Sequence, residues 1–250
     1  MKLPSKNLSL IDNTSEAEVI RRYGSEFIIS PICPDYNFKK IQLKDRSERV
    51  HDFNGIGENM GIVYEKLIRE SEGLFKLLDK QKIKYQNLLL VADVEGKDKI
   101  ILKKLGVTRT EFNQKCQRTV EKINLDLKKK GFKKSRCLLM SQFFKDQKYS
   151  FFQNIQKIHE HLLKITDKEI LKLILEAQNK RCPLYEFWFG MDKERGKVRT
   201  LHEMAMYTSF GYCPAIGKGV ILCADSEILS RCYNLFKKNK TPVIYISGKY

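Results

Sequence analysis

Four stretches of the chain hold side chains of types that can do chemistry. In EFIISPICPDYNF, Glu26 to Phe38, an apolar run ends in Ser30, Pro31, Cys33, Pro34, Asp35 and Tyr36. A serine at its free pKa is a weak nucleophile and needs a base or an already activated substrate. Ser30 is a candidate nucleophile at a strand end, with Asp35 and Tyr36 holding a substrate; the plainer alternative is a turn fixed by the two prolines. In NGIGENMG, Gly55, Gly57 and Gly61 precede a helix, so their amides are candidates to cradle a phosphate or carboxylate. The spacing matches neither a dinucleotide fingerprint nor a P-loop, and flexible entry into the helix is the alternative. In ADVEGKD, Asp93 and Glu95 lie at a strand end, as ligands for a metal or an amine or as a helix N-cap. In KVRTLHEMAMY, Arg199, His202, Glu203 and Tyr207 fit one or two helical turns, and Arg199 and Glu203 stand four apart. Glu203 is set among Leu201, Met204, Ala205 and Met206, where a desolvated acid becomes a general base or an amine ligand; a structural Arg–Glu pair is the alternative.

Charge supplies a fifth feature. The chain of 250 residues carries 47 Lys and Arg against 30 Asp and Glu, a net charge of +17 that attracts nucleic acid, anionic membrane or phosphorylated ligands. Lys115, Arg118, Lys122 and Lys129 step by three, four and seven and so share one helix face. Lys128, Lys130, Lys133, Lys134 and Arg136 extend that face into a basic corner, KKKGFKKSR, with no acid in it. Six or more phosphate contacts would make binding steeply salt-dependent; the alternative is an ordinary solvated face.

The elements needed to position these residues alternate along the chain. Buried-type strands are predicted at EFIIS, YQNLLLVADVE, SRCLLMSQFF, GKGVILCAD and TPVIYIS. Between them fall a helix from Asn59, a short helix stopped by Gly106, and a long one from Thr108 or Thr110 to Gly131. Two more helices follow over residues 149–181, and another is predicted at SEILSRCYNLFKKN. Residues 36–58 and 182–200 read as loops. This order predicts an α/β fold, a single Rossmann-like domain over 25–250 with a mostly parallel sheet flanked by helices, after a leader over 1–24 with one short helix capped at Ser15. Sites on such sheets lie at the carboxyl ends of the strands. The seven cysteines contain no C-x-x-C pair and read as reduced, mostly buried thiols. His51, His159, His161 and His202 do not make a metal-like set, so neither metal nor cofactor is expected. The absence of an apolar leader suggests a cytoplasmic protein without a membrane anchor.

The order of these parts resembles the tRNA-dependent cyclodipeptide synthases, Rossmann-like proteins similar to the catalytic domain of class I aminoacyl-tRNA synthetases. The resemblance rests on IISPICPDYNF, VADVEGKDKIILKKLGV, the basic helix at 109–130 and HEMAMYTSFGYCPAIGKGVILCADSEILSRCYNLF, and it covers residues 25–236. The family's glycine two residues before the serine is Ile28 here, and its tyrosine four residues before the glutamate is Arg199. The resemblance implies an aminoacyl transferase that joins aminoacyl groups from aminoacyl-tRNAs into a cyclic dipeptide. In it Ser30 would be the acyl acceptor, Glu203 would hold the ammonium or move protons, and Arg199, Asp35 and Tyr36 would orient the substrate. The basic face would take the tRNA backbone. Two readings stay open beside it: a small-molecule synthase similar to the isonitrile synthases, with residues 55–61 on a sugar phosphate, and a non-catalytic RNA-binding module.

Overall fold

The computed structural model describes residues 13–22, 27–34, 36–42, 49–56, 62–224 and 226–245. In chain order the elements are α1 (Asn13–Arg22), β1 (Ile28–Ile32), β2 (Tyr36–Gln42), β3 (Arg49–Ile56), α2 (Ile62–Lys80), β4 (Asn87–Val91), α3 (Lys99–Leu105), α4 (Arg109–Lys129) and β5 (Ser135–Leu139). They continue with α5 (Met140–Asp146), α6 (Phe151–Leu162), α7 (Lys168–Phe189), α8 (Lys193–Gly211), β6 (Val220–Cys223) and β7 (Val243–Tyr245), with short helical turns between them.

Five strands form one parallel sheet in the order β5-β4-β1-β6-β7. Counting only the strands of that sheet, this is the 3-2-1-4-5 arrangement of a Rossmann-like domain, so the predicted fold class holds. NLLLV and VILC are buried at every position, because a parallel sheet is covered by helices on both faces and needs apolar residues on each. Ile28, Ile32, Leu89 and Val91 pack on one face with α1, α2 and α4. Ile29, Leu88 and Leu90 pack on the other with α5, α6, α7 and α8.

Helix boundaries follow the local chemistry. Asp98 caps α3 by accepting from the Ile100 and Ile101 amides at 2.8 and 3.3 Å, and Gly106 ends that helix at φ 65°, a left-handed conformation that favours glycine. Thr108 opens α4 through a capping box: its hydroxyl accepts from the Glu111 amide at 3.2 Å and the Glu111 carboxylate accepts from the Thr108 amide at 2.7 Å.

Four elements depart from the sequence reading. Residues 13–22, read as part of a leader with Ser15 as cap, form α1 from Asn13 onward, and Ala17 and Ile20 are buried against α2, so the core starts before residue 25. Residues 36–42 and 49–56, read as loop, form an antiparallel hairpin, β2 with β3, outside the parallel sheet. The strand predicted through Phe144 stops at Leu139, where α5 begins. Residues 182–200, read as loop, are helical at both ends: α7 runs through Pro183 to Phe189 and α8 starts at Lys193. Burial of Tyr185 and the packing of Trp188 and Phe189 on the core sustain the helix past the proline.

Candidate functional site

β1 pairs with β4 over its whole length but with β6 only at Ile28 and Ile29. Past Ile29 the two strands part, and this is the switch point where chain order reverses, the usual place of a site on such a sheet. A cavity of about 60 Å³ sits at the carboxyl ends of β1 and β4, walled by Pro31, Ile32, Cys33, Met140, Tyr207 and Tyr233 among others. Water needs roughly 10–15 Å³ of such space, so the cavity takes a compact apolar group. α8 lies close to the backbone of Tyr233, one of the cavity walls, because Gly211 is bare: a Cβ there would lie 1.9 Å from the Tyr233 carbonyl oxygen.

Beside the cavity a second cleft, of about 480 Å³, opens between the Asp93–Lys97 turn, α3, α6 and α8. Val94, Glu95, Phe151 and Met206 border both spaces. Arg199 and His202 line the cleft, and Tyr207 lines the cavity, so the helical turns picked out in KVRTLHEMAMY contribute to both spaces.

Glu203 lies behind that wall, between α7 and α8. Its carboxylate accepts from Arg181 Nη2 at 2.9 Å and stands 3.8 Å from Arg199 Nη2. Arg199 is also ion-paired with Asp98. These side chains are 11–18% exposed. Burial pushes the Glu203 carboxyl up, but Arg181 and then Arg199, with the Tyr185 hydroxyl, outweigh it and hold the group below the usual carboxylate range. A carboxylate held so is a poor proton acceptor and a strong anchor for guanidinium groups. The i,i+4 pair was legible in the sequence; Arg181, Tyr185 and Asp98 were missed, because they come from other elements. Arg181 is 22 residues away along the chain and signalled by no spacing.

His202 packs edge-on against His159 at 5.9 Å between ring centroids. Burial, then Arg199 and His159, lower its pKa from the ordinary 6.5, only partly countered by Glu203, so the imidazole is kept neutral.

Ser30 occupies the middle of β1, not its end, and has 0% exposure. Its hydroxyl donates to Asn87 Oδ1 at 3.2 Å, and Asn87 in turn donates to Ser135 Oγ at 3.4 Å. Strand alternation sends it to the face of Ile28 and Ile32, while Pro31 next to it faces the cavity. Ser30 is nevertheless the first residue of β1 beyond its pairing with β6.

Asp93 is buried and accepts from the Ser141 amide at 2.9 Å and from the Ser141 hydroxyl, so it ties the turn after β4 to the first turn of α5. Burial raises its pKa against the lowering effect of those bonds. Asp93 is neither a surface charge nor an N-cap: Ala92 holds the cap position of its own turn, and Asp98 caps the helix that follows. Gly55 falls in β3 rather than at a helix entry, and Tyr36 opens β2 opposite Ile56. Asp35 and Gly57 lie outside the described residues.

The basic residues are exposed along α4 and after it, except Lys115, which is half-buried. α4 starts beside the cleft, where Gly96 packs against Phe112, and its 21 residues carry the chain about 30 Å to the amino edge of the sheet. Lys128, Lys129, Lys133 and Arg136 therefore sit at the far end from the cavity. Lys130 lies 3.5 Å from Asp126, and Lys134 pairs with Asp79. Five of the seven cysteines are buried and all are free, as read from the sequence. Among the described residues there is no cluster of three or more His, Cys, Asp or Glu able to hold a metal, and no helix long and apolar enough to cross a membrane.

Comparison with family models, with curated proteins and with solved structures returns no match.

Proposed function

We propose that the protein is an aminoacyl transferase that takes its acyl groups from aminoacyl-tRNA and joins two of them into a cyclic dipeptide. One observation carries the reading: an apolar cavity at the switch point of a 3-2-1-4-5 sheet is bordered by Val94 and Glu95 of the turn on which the start of α4 packs, and that helix displays basic residues for about 30 Å away from it. A small free substrate has no use for a cationic track of that length, whereas an RNA whose end reaches the cavity does. The resemblance to cyclodipeptide synthases in the order of parts points the same way.

An aminoacyl ester is already activated, so positioning supplies much of the rate. The cavity, walled by Pro31, Ile32, Met140 and Tyr207, suits an apolar aminoacyl side chain. Ser30 is the proposed acyl acceptor. Its Oγ attacks the ester carbonyl, the bond to the ribose oxygen breaks, and the proton passes to that oxygen. The amine of a second aminoacyl group then attacks the Ser30 ester and releases the serine. The ring closes when the free amine displaces the remaining tRNA. Ser30 is buried on the closed face, so this step requires its hydroxyl to leave Asn87 and the chain to open where β1 leaves β6. The clamp of Arg181, Glu203 and Asp98 holds Arg199 at the cleft, and Glu203 acts by anchoring rather than as a base.

Expression in a bacterium followed by mass spectrometry of the medium tests the reading. New cyclic dipeptides are expected from the wild type and none from Ser30→Ala. Absence of any new product, with no tRNA co-purifying, rejects it.

A further inference from the structure

The larger cleft carries more positive charge than the structure uses. We propose that it is a binding site for the phosphate of a nucleotide, with the apolar part of the ligand laid against α3 and α6.

Lys97, Lys99 and Arg199 converge on the cleft with His159 and His202, against two acids, Glu95 and Asp98. Asp98 is already committed, to Arg199 and to the amides of Ile100 and Ile101. Lys97 sits over the Phe152 ring at 3.3 Å from its centroid, a contact weaker than a charge-assisted bond to phosphate. Burial and then the nearby Arg109 lower the Lys97 pKa, and Asp93 offsets this only in part, so an anion at this spot relieves repulsion. Two buried nitrogens on the same wall, Arg199 Nε and His159 Nε2, have no hydrogen-bond partner among the described residues. Buried polar groups in that state are rare and call for an explanation; a small rotation toward the cleft would give each an anionic partner. Ile100 and Ile155 complete the wall with apolar surface suited to a base. A volume of about 480 Å³ falls in the range of small-ligand sites.

The inference does not depend on aminoacyl transfer. The nucleotide has two possible sources, a free nucleoside monophosphate or the terminal nucleotide of an RNA strand. Calorimetric titration of the full-length protein with adenosine 5′-monophosphate and with inorganic phosphate tests it. Binding is expected to weaken at least about tenfold in Lys97→Ala, to recover in Lys97→Arg, and to be unchanged in Lys172→Ala on α7. Competition with a short single-stranded RNA separates the sources: displacement of the RNA by the nucleotide assigns the site to an RNA end, and nucleotide binding without displacement assigns it to the free nucleotide. If neither the nucleotide nor phosphate binds, or both bind equally well to Lys97→Ala and Lys99→Ala, the inference is overturned. Cyclic dipeptide formed without nucleotide binding would remove this inference alone, and nucleotide binding without product would remove the transfer reading alone.

Discussion

The two faces of the parallel sheet are built from the same strands and do different work. On one face Ser30, Asn87 and their apolar neighbours are closed over by α1, α2 and α4, and the polar groups satisfy one another. Past the carboxyl ends of the strands, α6, α8 and the Asp93–Lys97 turn leave a cavity and a cleft, with a buried ion cluster between α7 and α8 behind them. Consecutive residues of β1 belong to different worlds: Ser30 to the closed face, Pro31 to the open one. The difference shows that a serine's place in the chain does not decide its access; the face does, and Ser30 lies on the closed one.

The open face should be the more fragile to a single polar change. Glu203→Gln leaves Arg181 and Arg199 in a largely buried site without their shared carboxylate, and breaking such a cluster costs about 3–5 kcal/mol. Urea midpoints at constant m-value check it. A loss under about 1 kcal/mol would mean that the cluster behaves as a solvent-exposed one.

On the closed face the corresponding change is smaller. Ser30→Ala leaves Asn87 Oδ1 without its donor and costs about 1–2 kcal/mol. Far-UV circular dichroism should stay native while the proposed acyl transfer disappears. A loss of both together would indicate that Ser30 matters only through folding.

The basic surface lies outside both faces and should hardly touch stability. Replacing Lys128, Lys129 and Lys130 by Gln changes the unfolding free energy by no more than about 0.5 kcal/mol. The slope of log binding against log salt for tRNA falls by roughly one for each phosphate contact removed. An unchanged slope would move the RNA track elsewhere.

The smallest effect concerns pH. His202 has a folded pKa below its ordinary 6.5, so the unfolded chain binds its proton first as pH falls, and stability declines below about 6.5. His202→Gln should flatten the stability profile in that window. An unaltered profile would place the sensitivity on other groups.

The sheet strands, the cap at Thr108 and the stops at Gly106 and Gly131 were legible because each rests on local chemistry: a buried run, a short oxygen-bearing side chain, a residue free to adopt positive φ. The hairpin of β2 and β3 was not legible, since its residues mix charge with aromatics and no tight-turn dipeptide stands between the two strands. The end of α7 was not legible either: CPLYEFWF read as an aromatic loop, and burial of Tyr185 carries the helix through Pro183 to Phe189. Of the candidate site, Arg199, His202 and Tyr207 were found through helical spacing. Arg181 was not, because the contact joins two helices. The face taken by Ser30 could not be read from IIS, since a strand apolar on both sides shows no alternation.

Intact-protein mass spectrometry after brief mixing with aminoacyl-tRNA bears most directly on the meeting of the two faces at β1. The account predicts an adduct of one aminoacyl group, mapped by peptide analysis to Ser30 and absent in Ser30→Ala. Product formed with no adduct, or an adduct on Cys33 in the cavity wall, would contradict it.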